Sequence, residues 1–216
     1  MSMTFRTGRL AAWLLIGLAT TAARADFSIS NNLTSASGGA ESASGSTQLA
    51  AGFGSSTGGR LAGVTLLLGS SVAGTVEVDI YSDDGLNEPG SLLGRLTQVG
   101  TVAASPSAVT FTASSMTLAP STNYWVVLKA LTGTFDWSYT ASTSGGGTGA
   151  GYQGTWGESD DSGSTWFTYQ SYPTQMNVIL AGSSAVPEPS ALALLGTSMV
   201  GGLALRWPRA KLAATA

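Results

Sequence analysis

The sequence predicts an all-β protein, an antiparallel β-sandwich of the jelly-roll kind, and three observations carry that prediction. Short runs either alternate apolar with polar residues or stay apolar for about five residues, the two patterns that strands show. Turn-forming residues separate these runs at short spacing. The 216 residues include 29 glycines and only 10% charged side chains, and no amphipathic helical stretch competes for the apolar segments. No repeat of fixed period is visible, which disfavours propellers and solenoids.

In chain order, strands are expected at Thr47–Phe53, Arg60–Leu68, Thr75–Tyr81, Ser91–Val102, Ala108–Thr112, Asn123–Ala130, Thr134–Thr140, Trp166–Tyr172 and Gln175–Ala181. The clearest is Thr75–Tyr81, where Val76, Val78 and Ile80 fall on one face and Glu77 and Asp79 on the other. Val64–Leu68 and Tyr124–Leu128 are continuously apolar, as suits strands covered on both faces or at the centre of a sandwich. The spacers are Gly58-Gly59, Ser82–Gly90, Pro120–Asn123 and Ser142–Gly151. Asn31–Ser46 and Ser142–Gly151 are rich in small residues and are expected to be mobile surface.

The two ends read as signals. Arg6 and Arg9 precede the apolar run Leu10–Thr20, and Ala23 and Ala25 place small residues at the −3 and −1 positions for cleavage before Asp26. Residues 1–25 are therefore expected to be a signal peptide, used with the Sec translocon, and 26–185 an extracytoplasmic domain. At about 160 residues that domain is long enough to bury a core without disulfides. At the other end Val186-Pro187-Glu188-Pro189 is followed by the uncharged run Ser190–Leu205 and then by Arg206, Arg209 and Lys211. Sixteen helical residues reach about 24 Å against a bilayer core of about 30 Å, a marginal span that flanking residues extend, with the basic end held cytoplasmic.

Charge and absences exclude several functions. Between Asp26 and Ala185 lie only Arg60, Arg95 and Lys129 against eleven acids, a net charge of −8, so this domain repels phosphate backbones and nucleic acid is not an expected partner. The chain has no His and no Cys, which removes His-based triads, thiolate chemistry, iron–sulfur clusters and Cys- or His-ligated zinc. Carboxylate pairs for glycoside hydrolysis remain conceivable, but eleven acids single out no pair, and the protein is read as no enzyme, with no cofactor.

Three local features are candidate sites. Asp79, Asp83 and Asp84, around Tyr81–Gly90, offer oxygen ligands to Ca²⁺, against the simpler reading that Asp, Asn, Gly and Pro there serve turn geometry. Eleven of the eighteen aromatic residues lie between Tyr124 and Tyr172, and Trp137, Tyr152 and Trp156 are candidates for stacking on sugar rings if they are exposed. Ser159-Asp160-Asp161-Ser162-Gly163-Ser164-Thr165-Trp166 resembles the Asp-box of sialidases and other β-propellers, where the motif is a structural hairpin. It implies Asp161 bonding its own turn, Gly163 at positive φ and Trp166 packed beneath, with no glycosidase activity.

The tail resembles a PEP-CTERM sorting signal over residues 186–211. That resemblance implies that Val186, Pro187, Glu188 and Pro189 are the sorting motif, Ser190–Leu205 a transmembrane helix, and Arg206, Arg209 and Lys211 the stop-transfer cluster. It further implies recognition by an exosortase of a Gram-negative bacterium that makes exopolysaccharide. The cluster is interrupted by Trp207-Pro208, unlike a tight Arg run. Val78–Asp83 with Pro89-Gly90, and Leu118–Leu128, resemble choice-of-anchor ectodomains, of the R type among others, which implies a β-sandwich over about 45–181. The expected protein is thus an inner-membrane intermediate during export and then a component of the cell surface or extracellular matrix. Its expected role is structural or adhesive, linked to exopolysaccharide or biofilm; the alternative is a carbohydrate-binding module for a specific glycan.

Overall fold

Leu61, Val64, Leu66 and Leu68 are fully buried, and so are Val78 and Ile80 some ten residues further along the same strand; all belong to one hydrophobic core. The computed structural model describes residues 25–182 and contains no helix among them. Twelve strands run in the order β1 (Phe27–Asn31), β2 (Ser37–Ala43), β3 (Gln48–Ser55), β4 (Gly59–Asp83), β5 (Pro89–Arg95), β6 (Thr97–Val99), β7 (Ser107–Thr112), β8 (Thr117–Leu118), β9 (Thr122–Thr140), β10 (Tyr152–Ser159), β11 (Phe167–Tyr169) and β12 (Met176–Leu180).

All these strands pair antiparallel, and the expected all-β, sandwich-like architecture is present. Its two faces are not separate sheets, however, because hydrogen bonding runs continuously through β1-β12-β4-β9-β3-β10-β11. The long strands β4 and β9 make this possible. The first half of β4 pairs with β12 and β7, and the second half with β9 and β5. Between the halves the β4–β9 register shifts repeatedly from Ser70 to Val76, and Gly74 lies so close to the Thr132 carbonyl that a Cβ would collide with it. Thus Arg60–Leu68 and Thr75–Tyr81 are one bent strand, as are Asn123–Ala130 and Thr134–Thr140, while Ser91–Val102 contributes the two short strands β5 and β6.

Val64–Leu68 alternates buried with half-buried residues, so only one of its faces is fully covered. Tyr124–Leu128 is buried throughout. Tyr124, Val126 and Leu128 enter the main core, whereas Trp125 and Val127 form a second cluster with Ala50 and Trp166 on the opposite face of the sheet. Each such fully buried aliphatic side chain contributes about 1.5–3 kcal/mol relative to exposure.

The two segments expected as mobile surface are held in place. Residues 37–43 form β2, which lies along the second half of β9 with Glu41 opposite Trp137. The segment 142–151 is tied to β1 and β3 through Thr148 N to Asn31 O, 2.7 Å, Gly151 N to Ile29 O, 2.6 Å, and Gly54 N to Gly151 O, 2.7 Å. Strands β1 and β10 arise where no strand was expected: glycines within and just before Tyr152–Ser159 conceal β10, and β1 is a five-residue run directly after the expected cleavage site.

Candidate functional site

At one edge of the folded sheet β2 and the end of β9 meet β10 and β11, and between them a groove of about 430 Å³ opens to solvent. Four rings line it: Tyr139, Trp156, Tyr169 and Tyr172, with Glu41, Gly38, Ala141 and Ser171 completing the walls. Trp156 and Tyr169 are a cross-strand pair and stack with centroids 4.7 Å apart and planes at 27°. The indole N–H of Trp156 donates to the Ser171 carbonyl at 2.8 Å, which fixes the ring. Tyr139 and Tyr172 meet edge to face at 6.3 Å.

Tyr172 sits at φ 54, in the left-handed region where a bulky side chain costs about 1–2 kcal/mol. Strain of this kind concentrates at ligand sites, where surrounding structure enforces it. Here the Tyr172 amide donates to Thr143 O at 3.3 Å from one side while the ring packs on Tyr139 from the other.

The groove is acidic. Glu41 lies opposite Trp137 and Glu158 opposite Leu49, both core residues, so the two carboxylates point toward the interior side of their strands. The Tyr169 hydroxyl donates to Glu158 Oε1 at 3.2 Å. Burial first, and then the charge of Glu158, push the Glu41 carboxyl above its ordinary value. The Tyr169 hydroxyl is raised by desolvation and then by Glu158, with Asp160 and Glu41 adding to the effect.

Of the three aromatic residues singled out in the sequence, only Trp156 lines this groove. Trp137 is fully buried in the main core, with its indole N–H donating to the Gln175 carbonyl at 2.9 Å, so it offers no face to a sugar. Tyr152 is half-buried and donates its hydroxyl to Ser144 O at 2.9 Å, outside the groove. Sequence reading missed Glu41, Tyr139, Tyr169 and Tyr172. The hairpin motif was the available signal for Tyr169, because a turn at Asp160–Gly163 sets the register that places Tyr169 opposite Trp156.

The three candidate Ca²⁺ ligands are engaged separately. Asp79 is fully buried and bonds Lys129 Nζ at 2.7 Å. Asp83 accepts the Trp125 indole N–H at 3.0 Å and the Gly85 amide at 2.8 Å, and Asp84 accepts the amides of Leu86 and Glu88. Among the described residues no group of three or more acids converges on a point that would hold a metal. Asp83 and Asp84 thus bond amides of the turn that follows β4, whereas Asp79 belongs to a buried ion pair within the strand.

The Asp-box hairpin forms as its resemblance implies. Asp161 accepts from the Ser159 and Thr165 hydroxyls and from the amides of Ser164 and Thr165, at 2.7–3.0 Å. Gly163 takes φ 87, and Trp166 packs into the second cluster. The hydrogen bonds from Thr165, followed by that from Ser159, lower the Asp161 carboxyl to about 2.

The sorting residues, the signal peptide and the expected apolar helix lie outside the described residues, apart from Ala25. Residues 185–210 match the PEP-CTERM protein-sorting motif. The chain carries a PEP-CTERM sorting signal. PEP-CTERM sorting implies processing by an exosortase, with export and sorting to the cell surface in Gram-negative bacteria. The match stops short of residues 26–184, where the choice-of-anchor resemblance lies. No curated protein and no solved structure matches the chain.

Proposed function

We propose that this PEP-CTERM protein is an exported adhesive component of the cell surface or matrix, which holds exopolysaccharide through the groove formed by β2, β9, β10 and β11. The tail anchors it in the inner membrane until the exosortase acts. One observation carries the adhesive reading: two ring pairs, Trp156–Tyr169 and Tyr139–Tyr172, share one solvent-open groove of ligand size. Sugar rings present apolar C–H faces that stack on such side chains, while their hydroxyls bond carboxylates such as Glu41.

The role is binding and not catalysis. The test is co-sedimentation of the protein, recovered from the host's surface fraction, with exopolysaccharide isolated from the same host. Wild-type protein is expected in the pellet and Trp156→Ala in the supernatant. Equal pelleting of both proteins rejects the groove as the adhesive site, and release of reducing ends during the incubation rejects the non-enzymatic reading.

A further inference from the structure

The charge around the groove narrows the class of glycan. Among the described residues Glu41 is the one charged side chain in the groove lining, and Glu158 stands behind the Tyr169 hydroxyl. The described residues hold three cations, and none answers these carboxylates. Arg95 and Lys129 are paired with Glu77 and Asp79, and Arg60 lies at the start of β4 beside β8. A groove with aromatic walls and uncompensated carboxylates favours an organic cation, which gains from both the ring quadrupoles and the negative charges.

Resting on the adhesive reading above, we propose that the groove recognises a glycan carrying protonated amines, that is, a polymer of amino sugars with free amino groups. An ammonium group set between Tyr169 and Glu41 supplies the counter-ion that both carboxylates lack, while the sugar ring that bears it stacks on the exposed tyrosines. A neutral sugar would stack and offer hydroxyls to Glu41 but leave the charges of Glu41 and Glu158 without a counter-ion. A uronic acid would add a third negative charge to the same space. Burial and the charge of Glu158 push the Glu41 carboxyl up, and a cation bound beside it would act in the opposite direction.

The test measures binding of the full-length chain in detergent to three soluble hexasaccharides, of glucosamine, N-acetylglucosamine and galacturonate, with oligolysine as a fourth probe. At low salt the glucosamine oligomer is expected to bind about tenfold more tightly than its acetylated counterpart. That advantage is expected to shrink at about 0.5 M salt, where charges are screened. Glu41→Gln is expected to remove most of it. Equal or tighter binding of the acetylated or galacturonate oligomer overturns the amine assignment and leaves the adhesive reading standing. Oligolysine binding as tight as that of the glucosamine oligomer assigns the groove to a basic polypeptide and overturns the proposal; absence of binding to all three sugars overturns it too, while the adhesive reading is judged by co-sedimentation with the host polysaccharide.

Discussion

Lys129 Nζ lies 2.7 Å from Asp79 Oδ2, on the opposite face of the sheet from the main core, and Asp79 has no solvent exposure. The same ammonium donates to the Tyr81 hydroxyl at 2.7 Å, and Arg95 approaches Glu77 at 2.7 Å from the β5 side. Glu77 and Asp79 were legible as the polar face of an alternating strand, but that face is covered and its acids are neutralised. Burial lowers the Lys129 ammonium pKa, and the hydrogen bonds to Asp79 and Tyr81 outweigh that to leave it raised above 10.5. Its contribution is therefore complete below pH 10.5 and is lost only as pH rises through the raised value.

Removing the Lys129 charge leaves two adjacent carboxylates with the largely exposed Arg95 as their counter-ion. Lys129→Met is expected to cost about 3 kcal/mol in urea unfolding, because it leaves the buried Asp79 with only the 3.4 Å contact to the exposed Arg95. Adding Asp79→Asn to that variant should recover part of the loss, since the pair is coupled. Equal costs for the single and double variants would show that Lys129 acts through packing of its stem alone.

Glu77 titrates in the opposite sense to an ordinary salt-bridged acid. Desolvation first, and then its contact with Asp79, raise its carboxyl above 4.5 despite Arg95 and Lys129. A raised acid favours the folded state when protonated, so this group's effect on stability worsens as pH rises from 4.5 through the raised value. Glu77→Gln is expected to flatten that part of the stability–pH curve, measured by urea midpoints between pH 4 and 7 (about one step per half unit). An unchanged curve would place the dependence on another group.

Asp161 makes the hairpin sensitive to acid. Its folded value, about 2, is lower than its reference value of 3.8, so its support is intact above 3.8 and disappears as pH falls toward 2. Trp166 is expected to gain exposure over that interval, read as a red shift in tryptophan emission. Asp161→Ala should show the shifted emission already at neutral pH. If acid and the substitution both leave emission unchanged, then the seating of Trp166 on Trp125 and Val127 holds the hairpin without the carboxylate.

These residues also mark what sequence alone can convey. Val76, Val78 and Ile80 announce their strand because alternation is a local property, and Asp161, Gly163 and Trp166 announce their hairpin because every partner lies within a few positions. Strand β2 sends no such signal: Ser37–Ala43 is small and mostly exposed, and only backbone pairing with β9 makes it a strand. The bend in β4 is hidden for a similar reason, since the exposed residues 71–75 carry no buried side chain that would join Arg60–Leu68 to Thr75–Tyr81. The groove depends on both, because Glu41 reaches Tyr169 only after β9 carries β2 to the edge where β10 and β11 pair.

The core and groove tryptophans should separate by assay. Trp137→Ala empties a fully buried site and is expected to cost about 3–5 kcal/mol. Trp156→Ala, at the half-buried rim, should cost less stability and abolish polysaccharide binding. Comparable destabilisation by both would make Trp156 a core residue and remove the platform on which the adhesive reading stands.

Tyr172 offers a sharper separation, because its backbone conformation opposes its side chain. Tyr172→Gly relieves the strain at φ 54 and deletes an exposed ring, so the urea midpoint is expected to hold or rise while polysaccharide binding falls. A large drop in stability would mean that the ring serves packing against Tyr139 and that the strain is enforced for structural reasons.

The PEP-CTERM tail predicts a specific pair of ends for the mature protein. If the exosortase cuts at its motif, intact mass and terminal sequencing of material from the surface and medium fractions should give a chain that begins at Asp26 and ends near Pro187–Ser190. Glu188→Ala is expected to block this step and leave a chain that still ends at Ala216 in the membrane fraction. The groove residues are remote in sequence from the motif, so Trp156→Ala should be processed normally while losing polysaccharide. A wild-type chain that retains Ala216 and stays with the membrane would make the tail a permanent anchor, and the β domain would then work from the inner membrane outward.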